Sequence, residues 1–580
     1  MTCLLVLLLV SSNGASLSAA EGPADANPKS AERNATADKK EGTMKPRPRV
    51  TISKETTLIT EPLLPNGYPD YVGALNKTAS EGVTTQNNGA IVLLEMLGWK
   101  AIQAENKELD QDEFCRQLGI AKIPKADVVY QSWSEFAKTV PLDQLPKLTA
   151  KNLEFDVEEG ANLDGEEFRQ TREYKPLEVC NIRPWTTKQY PAFARWLETQ
   201  RPVLAKLAGL KTRDRYYCPR FPSKFGALEI SIDDPILTIS RVRELVLYAL
   251  VPLAMWDIGE GRLDAAVEDL ELASLLLRCT EERPLLVDRI IHATLVNAAQ
   301  PVLREIIFHP AVTDAQLQRV AELGQRTRFS KSLANIYDQG ERYFALSVVC
   351  QMAENGCDGE GNPGKLPVAL RQWLWDYDQL LRSTNEFQNR VVKAQSIADR
   401  KSRQAALAEI GKLQVPGSIF SGGEVPPTTW QDIIRTVLKS LTRAGRTELL
   451  AERHIGLSAG AIPPADKIEA RQAARYEVDL LGIALARYRL AHARFPEKLD
   501  ALVPKYVKAI PPDPCTVQPL VYKTDGKNML LYSVGPDGKD HGGFYGFVGE
   551  PTKEEYIDDQ AIYTAGWTPP EPRTDGKSKQ

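Results

Sequence analysis

Over residues 242–353 apolar side chains recur at helical spacing almost without a break, and no other feature limits the fold so strongly. Val242, Leu245, Ala249, Leu253 and Trp256 stand three or four residues apart. Leu263, Ala266, Val267, Leu270, Ser274 and Leu277 then do the same, so two amphipathic helices are expected. Between them lies Gly259-Glu260-Gly261-Arg262, which tolerates the left-handed backbone that ends a helix. So short a connection folds the two helices back antiparallel. Val246, Leu250, Leu272, Leu275 and Leu276 widen both stripes, and each helix should therefore be covered on two sides. Pro252 and Pro301 fall inside the stripes and should kink their helices rather than end them. A third helix is expected over 285–308. A fourth should open at Thr313, which has the spacing to Gln316 of a reciprocal cap.

The hairpin around Gly259 resembles one unit of a tetratricopeptide repeat, with Trp256, Gly261 and Ala266 in matching places. No second copy follows at that period, and a solenoid needs about three stacked units. The expected fold is mainly α: an antiparallel helical array or bundle with one TPR-like hairpin, carrying a small α+β unit at its C-terminal end.

Residues 4–10 form a short apolar run, followed by small polar residues and Ser18-Ala19-Ala20. This reads as a cleaved export signal over 1–20 with cleavage near Ala20, which places the protein in the periplasm or outside the cell. No later run reaches the roughly 20 apolar residues of a membrane helix, so the mature chain should have no transmembrane segment. Residues 21–50 are Ala, Pro, Lys, Glu and Asn with few large apolar side chains, a disordered spacer. Beyond it the expected units are an N-terminal, mostly helical region over 51–230 with an irregular segment at 121–185, and a central helical domain over 235–460. A long helix then runs into a β-hairpin unit over 464–545, and an acidic, Pro-rich tail occupies 546–580. The hairpin signal is Asp525-Gly526 between two strand-like runs.

Net charge is −4, with 72 Lys and Arg against 76 Asp and Glu; no field of one sign favours nucleic acid. Without the leader the cysteines are Cys115, Cys180, Cys218, Cys279, Cys350, Cys357 and Cys515, an odd and scattered set rather than a disulfide framework. Cys350 and Cys357 could bridge in an oxidising compartment; buried thiols are the alternative.

Three patterns look chemical. Gly359 to Lys365 begins like a phosphate-binding loop, but it follows a helix, Leu366 stands where Ser or Thr is needed, and Pro363 removes an amide. Gly456-Leu457-Ser458-Ala459-Gly460, with His454 nearby, matches a nucleophile elbow without the strand that must precede it. The five histidines never take zinc-ligand spacing. The remaining pattern is the acidic cluster Asp537, Asp540, Asp558 and Asp559, set around Gly-rich turns. Carboxylates so spaced can supply the oxygens that calcium takes; the same acids also read as solvated turn residues.

Residues 484–543 carry Ala486-Arg487-Tyr488, Phe495-Pro496, Leu499, Leu502-Val503-Pro504, Pro511, Asp513-Pro514, Pro519-Leu520, Tyr522, Leu531-Tyr532-Ser533-Val534-Gly535 and Asp537-Gly538. In these the segment resembles the C-terminal domain of the type II secretion major pseudopilin. The resemblance implies a helix packed on a small antiparallel sheet and a calcium ion ordering the loop after a strand, with Asp537 and Asp558 or Asp559 near the family's acidic positions. The pseudopilin's membrane helix has no counterpart here. More widely, the chain resembles a family of uncharacterised exported bacterial proteins. The shared stretches are Thr56-Thr57-x-Ile59-x-x-Pro62-Leu63, Asp70-Tyr71-Val72-x-Ala74-Leu75-Asn76, Gly82-Val83-Thr84, Asn87-Asn88 and Arg215-Tyr216-Tyr217-Cys218-Pro219. That likeness implies a compartment and a fold but no activity.

The functional expectation is a non-catalytic scaffold of the cell envelope that presents a helical surface to a protein or peptide. An envelope hydrolase whose site is assembled only in three dimensions is the alternative. A third reading is an accessory or cargo of a type II-like secretion apparatus.

Overall fold

The computed structural model describes residues 48–567 except 106, 108, 126–127, 148–168, 224–225, 231–233, 282, 327–331, 356–366, 414–429 and 549–554. The expected leader, nearly all of the expected spacer, Cys357, the whole Gly359 to Lys365 pattern and the residues beyond 567 lie outside the described residues. The chain is mainly helical, with a small antiparallel sheet near its C-terminal end.

The N-terminal region holds α1 (Tyr71–Ser80), α2 (Ala90–Leu97) and α3 (Pro191–Leu204), with further helices between them, and ends in the antiparallel pair β1 (Pro222–Ser223) and β2 (Gly226–Ile230). The first predicted helix of the central run is a continuous rod. Ile239–Arg243 passes into a π-wound segment, Glu244–Leu250, and then into α4, Val251–Gly259. The wide turn comes directly before Pro252, whose ring offers no amide for a regular helical bond. The helix therefore survives its proline.

The hairpin to α5 (Leu263–Glu281) forms as the glycines indicate, but the two glycines act differently. Gly261 has φ +76, a left-handed value that suits glycine. Gly259 is needed for closeness, since a Cβ there would lie 1.9 Å from the Trp185 carbonyl oxygen. Trp185 stacks on Trp256 with ring centroids 5.7 Å apart and donates its indole N–H to Pro252 O at 2.9 Å.

Next come α6 (Leu286–Ile307), continuous through Pro301, and α7 (Asp314–Arg326). The predicted cap at the start of α7 is present: the Thr313 amide donates to Gln316 Oε1 at 2.9 Å, and the Gln316 amide to Thr313 Oγ1 at 3.2 Å.

The following helices are α8 (Arg342–Asn355), α9 (Val368–Leu374), α10 (Tyr377–Gln395), α11 (Arg400–Gly411), α12 (Trp430–Ser440), α13 (Arg443–Ala459) and α14 (Ile462–His492). Residues 430–459 are divided between α12 and α13 rather than forming one helix. Thr442 Oγ1 accepts the Gly445 amide at 3.0 Å and starts a new helix, and Gly445 presses so close to Lys439 O that a Cβ would stand 2.2 Å from it. The long helix α14 packs on α6, α7 and the C-terminal sheet, and it stops where Ala493 turns left-handed at φ +59.

The predicted hairpin is β3 (Val521–Thr524) and β4 (Met529–Ser533), with Gly526 at φ +84 in the turn. Reading 546–580 as tail misses three strands. β5 (Tyr545–Val548) pairs with β6 (Glu555–Asp558), and β7 (Gln560–Tyr563) completes the antiparallel order β3-β4-β7, with Leu531 opposite Ile562. Gln560 and Ile562 are fully buried. The acids before β7 give its sequence a solvated look, but Ala561-Ile562-Tyr563 lies against a covered strand. Val478, Leu485, Leu531 and Ile562 belong to the same apolar core as Leu253, Leu276 and Val302, so that core runs from the central helices into the sheet. Among the described residues no helix is long and apolar enough to cross a membrane.

Candidate functional site

The acidic C-terminal residues are brought together in part. Asp513 anchors the region from below: buried before β3, it accepts the Cys515 amide at 2.7 Å, Ser533 Oγ at 2.9 Å and the Val534 amide at 3.3 Å. This fixes the end of β4, from which the acidic loop departs. In that loop Asp537 accepts the Lys539 amide at 2.9 Å. Asp540 accepts both the Tyr532 hydroxyl and the Gly542 amide at 2.8 Å. From the start of β7 the fully buried Asp559 points into the same loop and accepts the amides of His541 at 3.1 Å and Gly543 at 2.8 Å through Oδ2. Its Oδ1 has no hydrogen-bond partner.

His541, absent from the predicted set, sits among these acids. Its Nδ1 is 3.5 Å from Asp559 Oδ1 and 3.9 Å from Asp537 Oδ2. Burial raises the Asp559 carboxyl to about 6, with the nearby Asp540 charge adding to the rise, while the two amides and His541 oppose it. Asp558 ends β6 opposite Tyr545. Among the described residues no group of three or more His, Cys, Asp or Glu side chains is arranged to hold a metal ion. In this arrangement the imidazole occupies the place between Asp537 and Asp559. Its spacing of four residues from Asp537 was the available sequence signal.

Ser458 falls in the last turn of α13, with no strand before it. His454 is half-buried, its Nε2 is shut off from water with no hydrogen-bond partner, and desolvation lowers it to about 4. It is therefore a neutral interior imidazole that does not contact the Ser458 hydroxyl through Nε2. His292 is likewise interior, with Nδ1 2.9 Å from Thr280 Oγ1. Cys350 is a buried free thiol that desolvation raises to about 12.

The N-terminal stretches around Asn76, Asn88 and Tyr217 act on one another. Asn88 Nδ2 donates to Tyr217 O at 2.9 Å while Asn88 Oδ1 accepts the Tyr217 amide at 3.0 Å, and Asn76 makes the same double bond to the backbone of Arg220. Arg220 and Arg283 in turn flank the buried Asp288 at 2.9 and 2.7 Å. These residues tie α1 and α2 to the central helices.

One surface departs from ordinary burial. On α12 the residues Ile434, Val437 and Leu438, with Leu441 just after, recur along one stripe, which on most helices would face the core. Here α12 is fastened to α13 by its charged side, through Arg435 to Glu452 and Lys439 to both Glu448 and Glu452. The apolar stripe faces solvent, with Leu438 61% and Leu441 70% exposed. Arg446 extends the patch by lying over the ring of Trp373, itself 65% exposed, while donating to Ser440 O at 2.9 Å. Periodicity marks α12 as amphipathic; it cannot say which neighbour takes which face.

Compared with protein-family models, curated proteins and solved structures, the chain has no significant match.

Proposed function

We propose that this chain is a non-catalytic helical scaffold of the cell envelope that binds a protein partner through the outward stripe of α12. The orientation of that helix carries the reading. An amphipathic helix held by ion pairs on one side, with four large aliphatic residues in water on the other, is costly to keep in a monomer unless something covers it. The bordering cations narrow the partner. Arg443 and Arg446 donate to the carbonyl oxygens of Trp375, Leu374 and Ser440 rather than to carboxylates. An amphipathic helix with an apolar stripe and acidic residues at one end fits this patch in shape and charge.

The test is a photo-crosslinking residue at Ile434, on the same exposed stripe, in cells that export the protein. The expected result is one adduct in the envelope fraction whose linked peptide is amphipathic with flanking acids, and its loss in L438D/L441D. Those side chains are exposed, so the double variant should fold normally. A self-adduct, or an adduct unchanged in the double variant, overturns the reading.

Calcium at the acidic loop belongs to the same proposal. Asp537, Asp540 and Asp559 would be its carboxylates once His541 swings aside, and the orphaned Asp559 Oδ1 is the atom that favours it. The ion would order the loop rather than take part in chemistry.

A further inference from the structure

Helices α5, α6, α7 and α14 line an open-mouthed cavity of about 230 Å³ far from the α12 stripe in sequence. Its walls are apolar, including Leu270, Leu277, Val296, Leu303, Val320 and Ile483. Of its lining residues, α5, α6 and α7 contribute no charged group. The charged residues come only from α14: Glu469, Arg475 and Asp479. Arg475 is engaged with Gln560 Oε1 at 3.2 and 2.7 Å, and Glu469 is faced by the charges of Arg289 and Arg403. Asp479 is faced by the charge of Arg475, four residues earlier on the same helix. Its Oδ1 is shut off from water without a well-formed hydrogen bond, and so is Nε2 of Gln300, whose side chain acts on Asp479. The cavity thus holds an unsatisfied acceptor and an unsatisfied donor side by side on otherwise apolar walls.

We infer that this cavity binds a small apolar primary amine with a neighbouring carbonyl oxygen, its ammonium group on Asp479 and its carbonyl on the Gln300 amide. An acceptor and a donor shut off from water without hydrogen bonds are costly, and a ligand that satisfies both while filling the apolar space removes that cost. Desolvation lifts Asp479 to about 6 in spite of Arg475 and the Gln300 amide, so the group still carries its charge at neutral pH. Size sets the other limit. An apolar cavity of about 150 Å³ accepts benzene, and one half as large again accepts a phenyl or leucyl side chain with the polar atoms attached. The arrangement matches the few convergent polar groups on apolar walls that mark small-molecule sites. This inference does not rest on the α12 reading, and either can fail alone.

Isothermal titration of the full chain at neutral pH tests it, with L-phenylalaninamide as probe and N-acetyl-L-phenylalaninamide as the control that lacks the ammonium group. The first should bind and the second should bind at least about tenfold more weakly. D479N, which removes the carboxylate charge while keeping a side chain of the same shape, should lose the same factor with little change in melting temperature. V320F, which fills the cavity without changing any charge, should also abolish binding. No heat with the amine, equal binding of the acetylated control, or undiminished binding by either variant overturns the proposal.

Discussion

Arg201 lays its two terminal guanidinium nitrogens on the two carboxylate oxygens of Asp257, at 2.9 and 3.0 Å, and so ties α3 to the end of α4. Asp257 is fully buried. Arg262, beyond the hairpin turn, reaches the same carboxylate at 2.7 Å, and the two guanidiniums lie over the Trp256 ring at 5.4 and 4.6 Å. Asp269 adjoins the pair. Burial, and then the Asp257 charge, push its carboxyl well above the usual range.

R201M should therefore cost about 2 kcal/mol. That is below the roughly 3–5 kcal/mol of a severed buried pair, because Arg262 still holds one oxygen. Adding R262M leaves the carboxylate with no cation, and the double variant should lose at least about 1 kcal/mol more than the two single losses combined. Denaturant unfolding of the three variants measures this. Simple additivity would show that the two arginines do not share Asp257.

The hairpin glycines make a second prediction, one that sequence alone would rank the other way. Gly261 shows its role openly, through its place at the helix end and its positive φ, yet a Cβ there meets nothing. G261A should cost about 1–2 kcal/mol of backbone strain. At Gly259 a Cβ would collide with the Trp185 backbone, which no rotamer change relieves, so G259A should cost about 3 kcal/mol or more. Melting temperatures of the two variants decide the order. Equal losses would mean that the Trp185 segment can move away.

The pair shows what a sequence can carry. Helical periodicity and turn chemistry are local, so the hairpin of α4 and α5, the Thr313 cap and the Asp525-Gly526 turn are all legible in the chain itself. Gly259 matters because of Trp185, which lies far back in the chain, and nothing near Gly259 says so. The same holds for β7, recognisable only beside β4, and for α12, whose stripe looks like that of any core helix until α13 takes its charged side. In the acidic loop, Asp537, Asp540 and Asp559 can be read from composition and spacing. The burial of Asp559 and the insertion of His541 cannot, because both depend on how β7 returns.

That burial sets the pH window for calcium. The Asp559 carboxyl stands at about 6 in the folded chain against a usual value near 3.8. Between roughly pH 4 and 6 the native state holds a proton that the unfolded state has released, so stability falls as pH rises through this window and the full cost is present above it. The groups facing Asp559 are His541, Asp540 and, across His541, Asp537. Calcium takes the ionised form and should act mainly above the window. With a dissociation constant of about 0.1–1 mM, ordinary for extracellular sites, 5 mM calcium should add about 1–2 kcal/mol at pH 7.5 and little at pH 5. D559N can still accept the His541 and Gly543 amides through its carbonyl. It should therefore melt higher than the parent in calcium-free buffer at pH 7.5 and show no calcium response. Thermal melts of both proteins at the two pH values, with and without calcium, read out the whole argument. A calcium effect that is equal at both pH values, or that persists in D559N, would place the ion elsewhere and leave His541 as the permanent partner of Asp559.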